Sequence, residues 1–246
     1  MNPSLKEAII TCFQTVGIGI ASYTDIEMLL ALPKTHMPLL IRYLKKSKAQ
    51  CRQDLFVLDR LNFKLNGYFV EFGAANGFDI SNTHLLEKEF GWTGILAEPA
   101  KCWHADLIKN RRAEIELRCV WKETGSILTF NEVENAKLST ISEYNDADFW
   151  SKERELGKTY DVATISLTDL LKKYKAPKDI DYLSIDTEGS EFEILNSFDF
   201  EEYKFGVITC EHNFTPMREK IHSLLSRHGY VRKFENLSKA DDWYVR

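Results

Sequence analysis

Four apolar runs of the chain end in acidic side chains, and these acids are the residues whose spacing suggests chemistry. The runs YFVEF, GILAE, YLSID and VITCEH place Glu71, Glu98, Asp186 and Glu211 at or near their ends, and His212 follows directly. Carboxylates bind cationic or hydroxyl-bearing ligands, and together with an imidazole they bind divalent metal ions. The sequence therefore predicts a ligand site where the four ends meet.

Two glycines follow the first acid in the stretch YFVEFGAANGFDISN. Gly73 and Gly77 lack Cβ atoms where the chain turns, so the backbone can approach a ligand closely. The dinucleotide fingerprint G-x-G-x-x-G forms a tighter cradle, which holds a pyrophosphate at a helix start. Here the turn is looser and Glu71 precedes it, which favours a cation over a pyrophosphate. S-adenosylmethionine, with its ammonium and sulfonium groups, is such a ligand.

The second acid indicates a nucleoside. Glu98 lies roughly 25 residues beyond the glycines, where a carboxylate accepts two hydrogen bonds from ribose hydroxyls. This acid occurs in both nucleotide-binding classes, so it does not separate a methyl donor from a nicotinamide cofactor. Pro99 then ends the strand.

Asp186, Glu211 and His212 are the candidate catalytic residues. Two carboxylates and an imidazole bind a divalent ion such as Mg²⁺ or Mn²⁺ and leave positions open for a substrate hydroxyl. Alternatively, His212 removes the hydroxyl proton as a general base. The structural alternatives are a helix cap for Asp186 and a hydrogen-bonded strand end for His212.

Other charged residues receive structural roles in this interpretation. Glu188 and Glu191 are assigned to a helix start, where acids are common. Arg111 and Arg112 are predicted to be an exposed helix-end pair, with binding of an anionic substrate group as the alternative.

The elements that position these residues form an alternating pattern. Beyond residue 50, apolar runs at 68–72, 94–97, 115–120, 180–185 and 206–210 alternate with amphipathic segments. Strands alternating with helices predict an α/β fold, with a parallel sheet covered on both faces. The carboxyl ends of parallel strands share one edge, where open sheets bind ligands.

Two parts of the chain depart from that alternation. Tyr230–Phe234 and Trp243–Arg246 predict an antiparallel pair of strands. Residues 121–165 predict an insertion that shapes a substrate pocket, with a strand over Ser126–Phe130 and a helix over Asp146–Leu156.

Composition limits the function classes. The chain has 246 residues, 44% hydrophobic composition and a net charge of −5, which suit a folded protein without the basic face of a nucleic-acid binder. No pair of its five cysteines forms C-x-x-C, which favours reduced thiols and a cytoplasmic location. The apolar stretch Ala8–Ala21 is too short to span a bilayer.

The start of the chain is predicted to be separate from the rest. Residues 1–49 form a helical extension and residues 50–246 the main domain. Helices over residues 7–32 are expected to pack on that domain or on a partner, including a second copy of the chain.

Three segments resemble the FkbM family of class I, S-adenosylmethionine-dependent methyltransferases. They are GYFVEFGAANGFDISNTHLLEKEFGWTGILAEP, IDYLSIDTEGSEFEIL and the lead-in CRQDLFVLDRL. The resemblance covers roughly residues 50–246 and implies a Rossmann-like sheet of seven strands, the last antiparallel. It also implies O-methylation of a sugar, a surface glycan or a natural product, although N-methylation remains open.

The motifs and the resemblance together predict the cofactor-binding residues. They are Glu71, Phe72, Gly73, Ala74, Asn76, Gly77, Ser81, Asn82, Glu98, Pro99, Val120 and Asp186. Some family members depend on a metal held by acids at these strand ends, which implies Asp186 and Glu211 as ligands; the histidine at the third position departs from an all-carboxylate set. The sequence leaves open whether Cys119, Val120 or Trp121 meets the adenine, because Trp121 either stacks on it or belongs to the core.

Two further functions stay open at this point. A nicotinamide-dependent oxidoreductase shares the fold and the ribose-binding acid, but Glu71 and the missing G-x-G-x-x-G disfavour it. A non-catalytic binding module would keep the fold without turnover, and the retained acids disfavour that alternative.

Overall fold

The structure is a computed structural model, and it describes residues 23–246. Its helices are α1 (Tyr23–Ala31), α2 (Met37–Leu44), α3 (Gln53–Arg60), α4 (His84–Phe90), α5 (His104–Asn110), α6 (Ser151–Arg154), α7 (Leu167–Lys173), α8 (Glu191–Asn196) and α9 (Met217–Arg227). Its strands are β1 (Tyr68–Phe72), β2 (Thr93–Ala97), β3 (Glu114–Glu116), β4 (Cys119–Trp121), β5 (Ile127–Glu132), β6 (Thr140–Ile141), β7 (Lys158–Ser166), β8 (Asp179–Ile185), β9 (Lys204–Glu211), β10 (Val231–Lys233) and β11 (Asp241–Val245).

Seven strands form the main sheet in the order β10-β11-β9-β8-β1-β2-β3. Strand β11 runs antiparallel to both of its neighbours, whereas β1, β2, β3, β8 and β9 pair in parallel. Phe72 pairs with Ala97 on one side and with Ile185 on the other, and Ile185 pairs with Cys210. This register brings the four predicted acidic ends to one edge, so the predicted α/β fold and its antiparallel last strand are confirmed.

Both faces of the sheet are covered, which explains the continuous apolar runs. Side chains alternate across a strand, so Phe69 and Val70 point to opposite faces. Val70 belongs to a core that α7, α8 and α9 complete, and Phe69 to one that α1 to α4 complete. Strands buried on both faces show no polar alternation.

The described part of the N-terminal extension joins the second of these cores. Met28, Leu32 and Leu40 are buried in the same cluster as Leu55 and Phe56 of α3. The predicted helices over residues 7–32 are represented by α1; their earlier part lies outside the described residues. Within residues 23–246, no helix has the length and apolarity needed to cross a bilayer.

The insertion forms a second sheet together with β4, which directly precedes it, in the order β4-β7-β5-β6. The predicted strand over 115–120 is wrong as a single element, because the chain leaves the main sheet after β3 and pairs with β7 as β4. The predicted helix over residues 146–156 is shorter in the structure, where α6 spans Ser151–Arg154. The Asp148 side chain accepts the Trp150 N–H at 2.8 Å, a local bond that competes with helix formation.

Candidate active site

Two adjoining pockets lie at the carboxyl edge of the main sheet. The larger is a cleft with about 630 Å³ of empty space, part of it open solvent. It is lined by the ends of β1, β2, β4 and β8 and roofed by residues of the insertion: Phe130, Ala136, Lys137, Ser139 and Ile141. The smaller, of about 250 Å³, lies between the end of β1 and residues 79–82. Phe72, Gly73 and Asp186 line both, so the two pockets meet at the end of β1.

Gly73 brings the ends of β1 and β8 together at that junction. Its φ is +70°, and a Cβ at this position would lie 1.8 Å from the carbonyl oxygen of Asp186. A side chain would both strain the backbone and push the strands apart. The predicted need for glycine at residue 73 therefore has a specific cause in the approach of Asp186.

Glu71 holds the loop that forms the smaller pocket. Its buried carboxylate accepts hydrogen bonds from the Ser81 hydroxyl at 3.1 Å, the Asn82 N–H at 2.8 Å and the Thr83 hydroxyl. Arg111 lies 3.7 Å away and supplies a compensating cation. Glu71 lines the smaller pocket, and its predicted contact with the cofactor stays a prediction.

The prediction that Arg111 is exposed is wrong. Its guanidinium is fully buried and forms an ion pair of 3.0 Å with Glu87. Gly77 makes this possible, because a Cβ there would lie 2.5 Å from the Cγ of Arg111. Gly77 and Asn76 are not among the residues lining the two pockets. The structure gives Gly77 a packing role, and the cofactor contacts of both residues stay predictions.

Asn76 shapes the turn through its side chain. Its Oδ1 accepts the N–H groups of Phe78 at 3.0 Å and Asp79 at 2.8 Å. The residue with a left-handed backbone conformation in this turn is Ala75, with φ +46°. Ala74 lines the smaller pocket and Ala75 the larger one.

Asn82 presents an unused acceptor to the smaller pocket. Its Nδ2 donates to the Ser184 hydroxyl at 2.9 Å, while its buried Oδ1 has no hydrogen-bond partner among residues 23–246. A buried acceptor without a partner carries a free-energy cost that a donor from a ligand would remove. The ammonium group of an amino acid is one such donor.

Glu98 is buried at the other end of the cleft. Its carboxylate accepts the N–H groups of Ala75 and Ala100, each at 2.8 Å, and burial raises its pKa to about 7. Each oxygen keeps a further lone pair for a ligand. Pro99 and Val120 line the cleft beside it.

The structure settles which neighbours of Val120 face the cleft. Cys119 and Val120 line it, whereas Trp121 packs in the core of the second sheet, with its ring 6.2 Å from that of Tyr144. Of the two roles considered for Trp121, core packing is the one that the structure shows.

Three carboxyl groups meet where the cleft reaches β8 and β9. Asp186, Glu188 and Glu211 have ligand atoms within 4.8 Å of one another, and we call them the acidic cluster. Burial raises the pKa of Asp186 to about 8, that of Glu188 to about 9 and that of Glu211 well above its usual value. Repulsion from Asp241 adds to the shift at Asp186, and repulsion from Asp186 adds to it at Glu188 and Glu211. Oxygen donors in this number suit a hard divalent cation. Within the described part of the chain, the buried Glu211 Oε2 has no hydrogen-bond partner.

Glu188 is the site residue that sequence reasoning missed. It has φ +58° and accepts hydrogen bonds from Arg154 at 2.8 Å and from the Asn213 amide at 3.2 Å. Its position beside Gly189 at a strand end was a signal of a site residue. That signal did not separate a site residue from a helix-start acid, because acids near helix starts are common. Glu191 does take that helix-start role, because its carboxylate accepts the N–H of Thr187 at 2.9 Å.

His212 is not brought to the acidic cluster. Its Nδ1 accepts the Phe214 N–H at 3.0 Å, and its Nε2 lies 3.7 Å from Asp242. Burial lowers the pKa of this imidazole. With both ring nitrogens directed away, His212 does not complete the predicted set with Asp186 and Glu211, and Glu188 occupies the third position.

A family model described as a methyltransferase FkbM domain matches residues 71–232. The chain belongs to the FkbM methyltransferase family. The match includes every predicted site residue from Glu71 to His212.

One solved methyltransferase structure is similar in fold to this FkbM family member, and a second matches it more distantly. A methyltransferase FkbM from Methylobacillus flagellatus KT has 14% sequence identity and a TM-score of 0.51; the alignment covers 96% of this chain and 58% of that one. A precorrin-6y C5,15-methyltransferase from Geobacter metallireducens GS-15 has 11% identity and a TM-score of 0.42, over 78% of this chain and 84% of that one. No curated protein matches the chain.

Proposed function

We propose that the protein transfers the methyl group of S-adenosylmethionine to a hydroxyl group of a sugar, a glycan or a natural product, with a divalent metal ion assisting. The observation that carries this proposal is the contact between Gly73 and Asp186. It supports the proposal because Gly73 and Asp186 line the same cleft, and Asp186 belongs to the acidic cluster.

The two pockets suit the two ends of the cofactor. The nucleoside occupies the larger cleft, with its ribose hydroxyls on Glu98 and its adenine against Cys119 and Val120. The methionine end occupies the smaller pocket, with its ammonium on the unpartnered Asn82 Oδ1. The sulfonium then lies near Gly73, where the pockets meet.

The reaction requires alignment of the acceptor and loss of one proton. The acceptor oxygen attacks the methyl carbon, the carbon–sulfur bond breaks, and its electron pair stays on sulfur. The products are S-adenosylhomocysteine and a methyl ether. The hydroxyl proton passes to a carboxylate oxygen of the acidic cluster, since His212 faces Asp242 instead.

The acidic cluster is also the proposed metal site. Asp186, Glu188 and Glu211 would hold Mg²⁺ or Mn²⁺ through oxygen ligands. A divalent cation there favours the ionised form of all three acids, which burial and repulsion otherwise disfavour. When bound, the ion would lower the pKa of the acceptor hydroxyl.

Thermal unfolding with candidate ligands tests the proposal. S-adenosylmethionine, S-adenosylhomocysteine and NAD are each added with Mg²⁺ and with EDTA. A ligand that binds only the folded state stabilises it by about 2.7 kcal/mol at a hundredfold excess over its Kd. We expect a higher melting temperature with the first two ligands. The proposal would be contradicted if NAD alone raised the melting temperature, or if none of the three ligands did.

A further inference from the structure

A pocket outside the candidate active site is lined mainly by lysines. It has about 550 Å³ of empty space, part of it open solvent, and none of its lining residues lines either pocket at the sheet edge. Four lysines against one glutamate give it an excess of positive charge in a chain whose net charge is −5. We call it the lysine pocket, and its lining residues are Lys45, Lys46, Lys48, His84, Leu85, Lys88 and Glu89.

One wall of the lysine pocket is a face of α4. His84 and Lys88 are four residues apart in this helix, as are Leu85 and Glu89, so the four side chains lie on the same side of it. Leu85 is buried in the core that α1 to α4 complete, whereas Lys88 and Glu89 are exposed. The wall is therefore a fixed helix face whose charged groups remain accessible.

The facing wall is the turn after α2, and its backbone is held in place. Ser47 is buried and its hydroxyl donates to Asp54 at 2.7 Å. Ala49 is also buried and pairs with Ile80 in a parallel bridge. Three lysines line the pocket from this turn, so their positions along the wall are set before any ligand binds.

The charges across the pocket are only partly compensated. Lys46 forms an ion pair of 2.6 Å with Glu89, which joins the two walls. Among residues 23–246, Lys45 and Lys48 form no ion pair. The Lys48 ammonium lies 4.4 Å from the centroid of the Phe78 ring, an interaction that keeps its positive charge.

The imidazole of His84 lies within this positive environment. Burial, together with the charges of Arg111, Lys88 and Lys48, lowers the pKa of His84 to about 4. Glu87 opposes the shift, but its carboxylate is shared between Lys88 at 2.9 Å and Arg111 at 3.0 Å. His84 is therefore neutral at pH 7, and the lysines carry the charge of the pocket.

We propose that the lysine pocket binds a phosphate-bearing molecule, with its phosphate between α4 and the turn after α2. Like charges held close together repel each other, and a ligand with two or more negative charges removes that repulsion. A carboxylate carries one charge, whereas a phosphate ester carries roughly two and a diphosphate more. Lysine binds phosphate as a point charge, which suits a wall of separate ammonium groups.

The rest of the chain favours a small ligand over an extended polyanion. Nucleic acids and anionic membranes bind broad basic surfaces. Here acids outnumber bases over the chain as a whole, so a polyanion that extended beyond the lysine pocket would meet repulsion. A molecule whose phosphate fits within the pocket avoids it.

The imidazole of His84 provides a readout within the pocket. The ¹H–¹³C ring signals of histidine are recorded by NMR on the full chain, and that of His84 is identified from its loss in His84→Gln. EDTA is present, because it prevents metal-bridged binding of phosphate at the acidic cluster. The probes are inorganic pyrophosphate, glucose 6-phosphate, acetate, and vesicles of equal parts phosphatidylcholine and phosphatidylglycerol.

We expect both phosphate probes to shift the His84 signal in a saturable manner. They should also raise the pKa of this imidazole, because a bound anion stabilises its charged form. His222 is the internal control, since α9 packs on the opposite face of the main sheet from α4. Its signal should stay unmoved.

Variants separate the lysine pocket from the net charge of the chain. Lys48→Gln and Lys88→Gln should each weaken pyrophosphate binding about fivefold, and Lys48→Arg should keep the Kd within about twofold because the charge is retained. Lys152→Gln is the matched control. Lys152 is exposed on α6 and does not line the pocket, so the same change in net charge should leave the Kd unaltered.

Several results would overturn the proposal. One is a His84 signal that neither phosphate probe moves, and another is an equal response to acetate or at His222. A stronger response to the vesicles than to pyrophosphate would assign the pocket to a membrane surface instead. An equal loss of affinity in Lys152→Gln would show an effect of net charge alone.

Discussion

The guanidinium of Arg154 donates a 2.8 Å hydrogen bond to the carboxyl group of Glu188, and both side chains are buried. Arg154 belongs to the insertion, whereas Glu188 follows the fourth parallel strand of the main sheet, β8. Arg154 also donates to the Leu138 carbonyl at 2.9 Å and to Asp148. The roof of the cleft and the acidic cluster are therefore held by one buried cation.

Replacing this cation should destabilise the fold. Arg154→Met leaves the buried Asp148 carboxylate without its partner, and breaking a buried ion pair in this way costs about 3–5 kcal/mol. Urea unfolding measures the change. Lys172→Met is the control, because the Lys172–Glu202 pair is exposed and its loss should cost less than about 1 kcal/mol. Equal effects of the two variants would contradict the role of Arg154.

The metal proposal predicts different effects of substituting the two acids Asp186 and Glu211 and the neighbouring His212. Asp186→Asn and Glu211→Gln should lower kcat by about a hundredfold or more while S-adenosylhomocysteine still binds. His212→Gln should keep the metal dependence, since both its ring nitrogens face away from the cluster. Activity is measured after EDTA treatment and during Mg²⁺ titration. Full activity in both acid variants would contradict the metal proposal but not the proposed cofactor site.

Gly73 and Gly125 offer a matched pair of substitutions. Both have positive φ, +70° and +93°, but only a Cβ at Gly73 meets another group, the Asp186 carbonyl oxygen. Gly125→Ala should cost about 1–2 kcal/mol through backbone strain alone. Gly73→Ala should cost more and weaken S-adenosylhomocysteine binding. Calorimetry and thermal unfolding measure both effects, and similar behaviour of the two variants would contradict this account of the junction.

Cofactor affinity should depend on pH through Glu98. Burial raises the pKa of this carboxyl from 4.5 to about 7, so the folded protein binds more protons than the unfolded chain between these values. The free energy of unfolding therefore falls as the pH rises from 4.5 to about 7, because Glu98 must ionise while it is buried. Ribose hydroxyls donate more strongly to the carboxylate than to the acid, so the Kd should fall between about pH 6 and pH 8.

Glu98→Gln is the control for this dependence. The amide keeps an acceptor oxygen but does not titrate, so its Kd for S-adenosylhomocysteine should be weaker and flat over the same range. Calorimetry at several pH values gives both curves. If the Kd of Glu98→Gln changed with pH as steeply as that of the unsubstituted protein, the pH dependence would belong to another group.

Some features of the candidate site were missed because they depend on backbone and side-chain directions. Glu188 reaches the cluster through a left-handed conformation at residue 188, and no spacing rule predicts that choice. His212 follows Glu211 directly, yet its ring turns towards Asp242 on β11, a strand far away in sequence. Arg111 is buried only because Gly77, 34 residues earlier, leaves room for its side chain.

The sequence by itself determined most strands of the main sheet, their parallel pairing and the edge at which their acids emerge. It could do so because buried parallel strands are continuous apolar runs and their carboxyl ends share one side of the sheet. Only the tertiary structure decided which acids meet, which are balanced by buried cations, and that the insertion roofs the cleft. Those outcomes depend on contacts between residues distant in the chain, which local patterns do not encode.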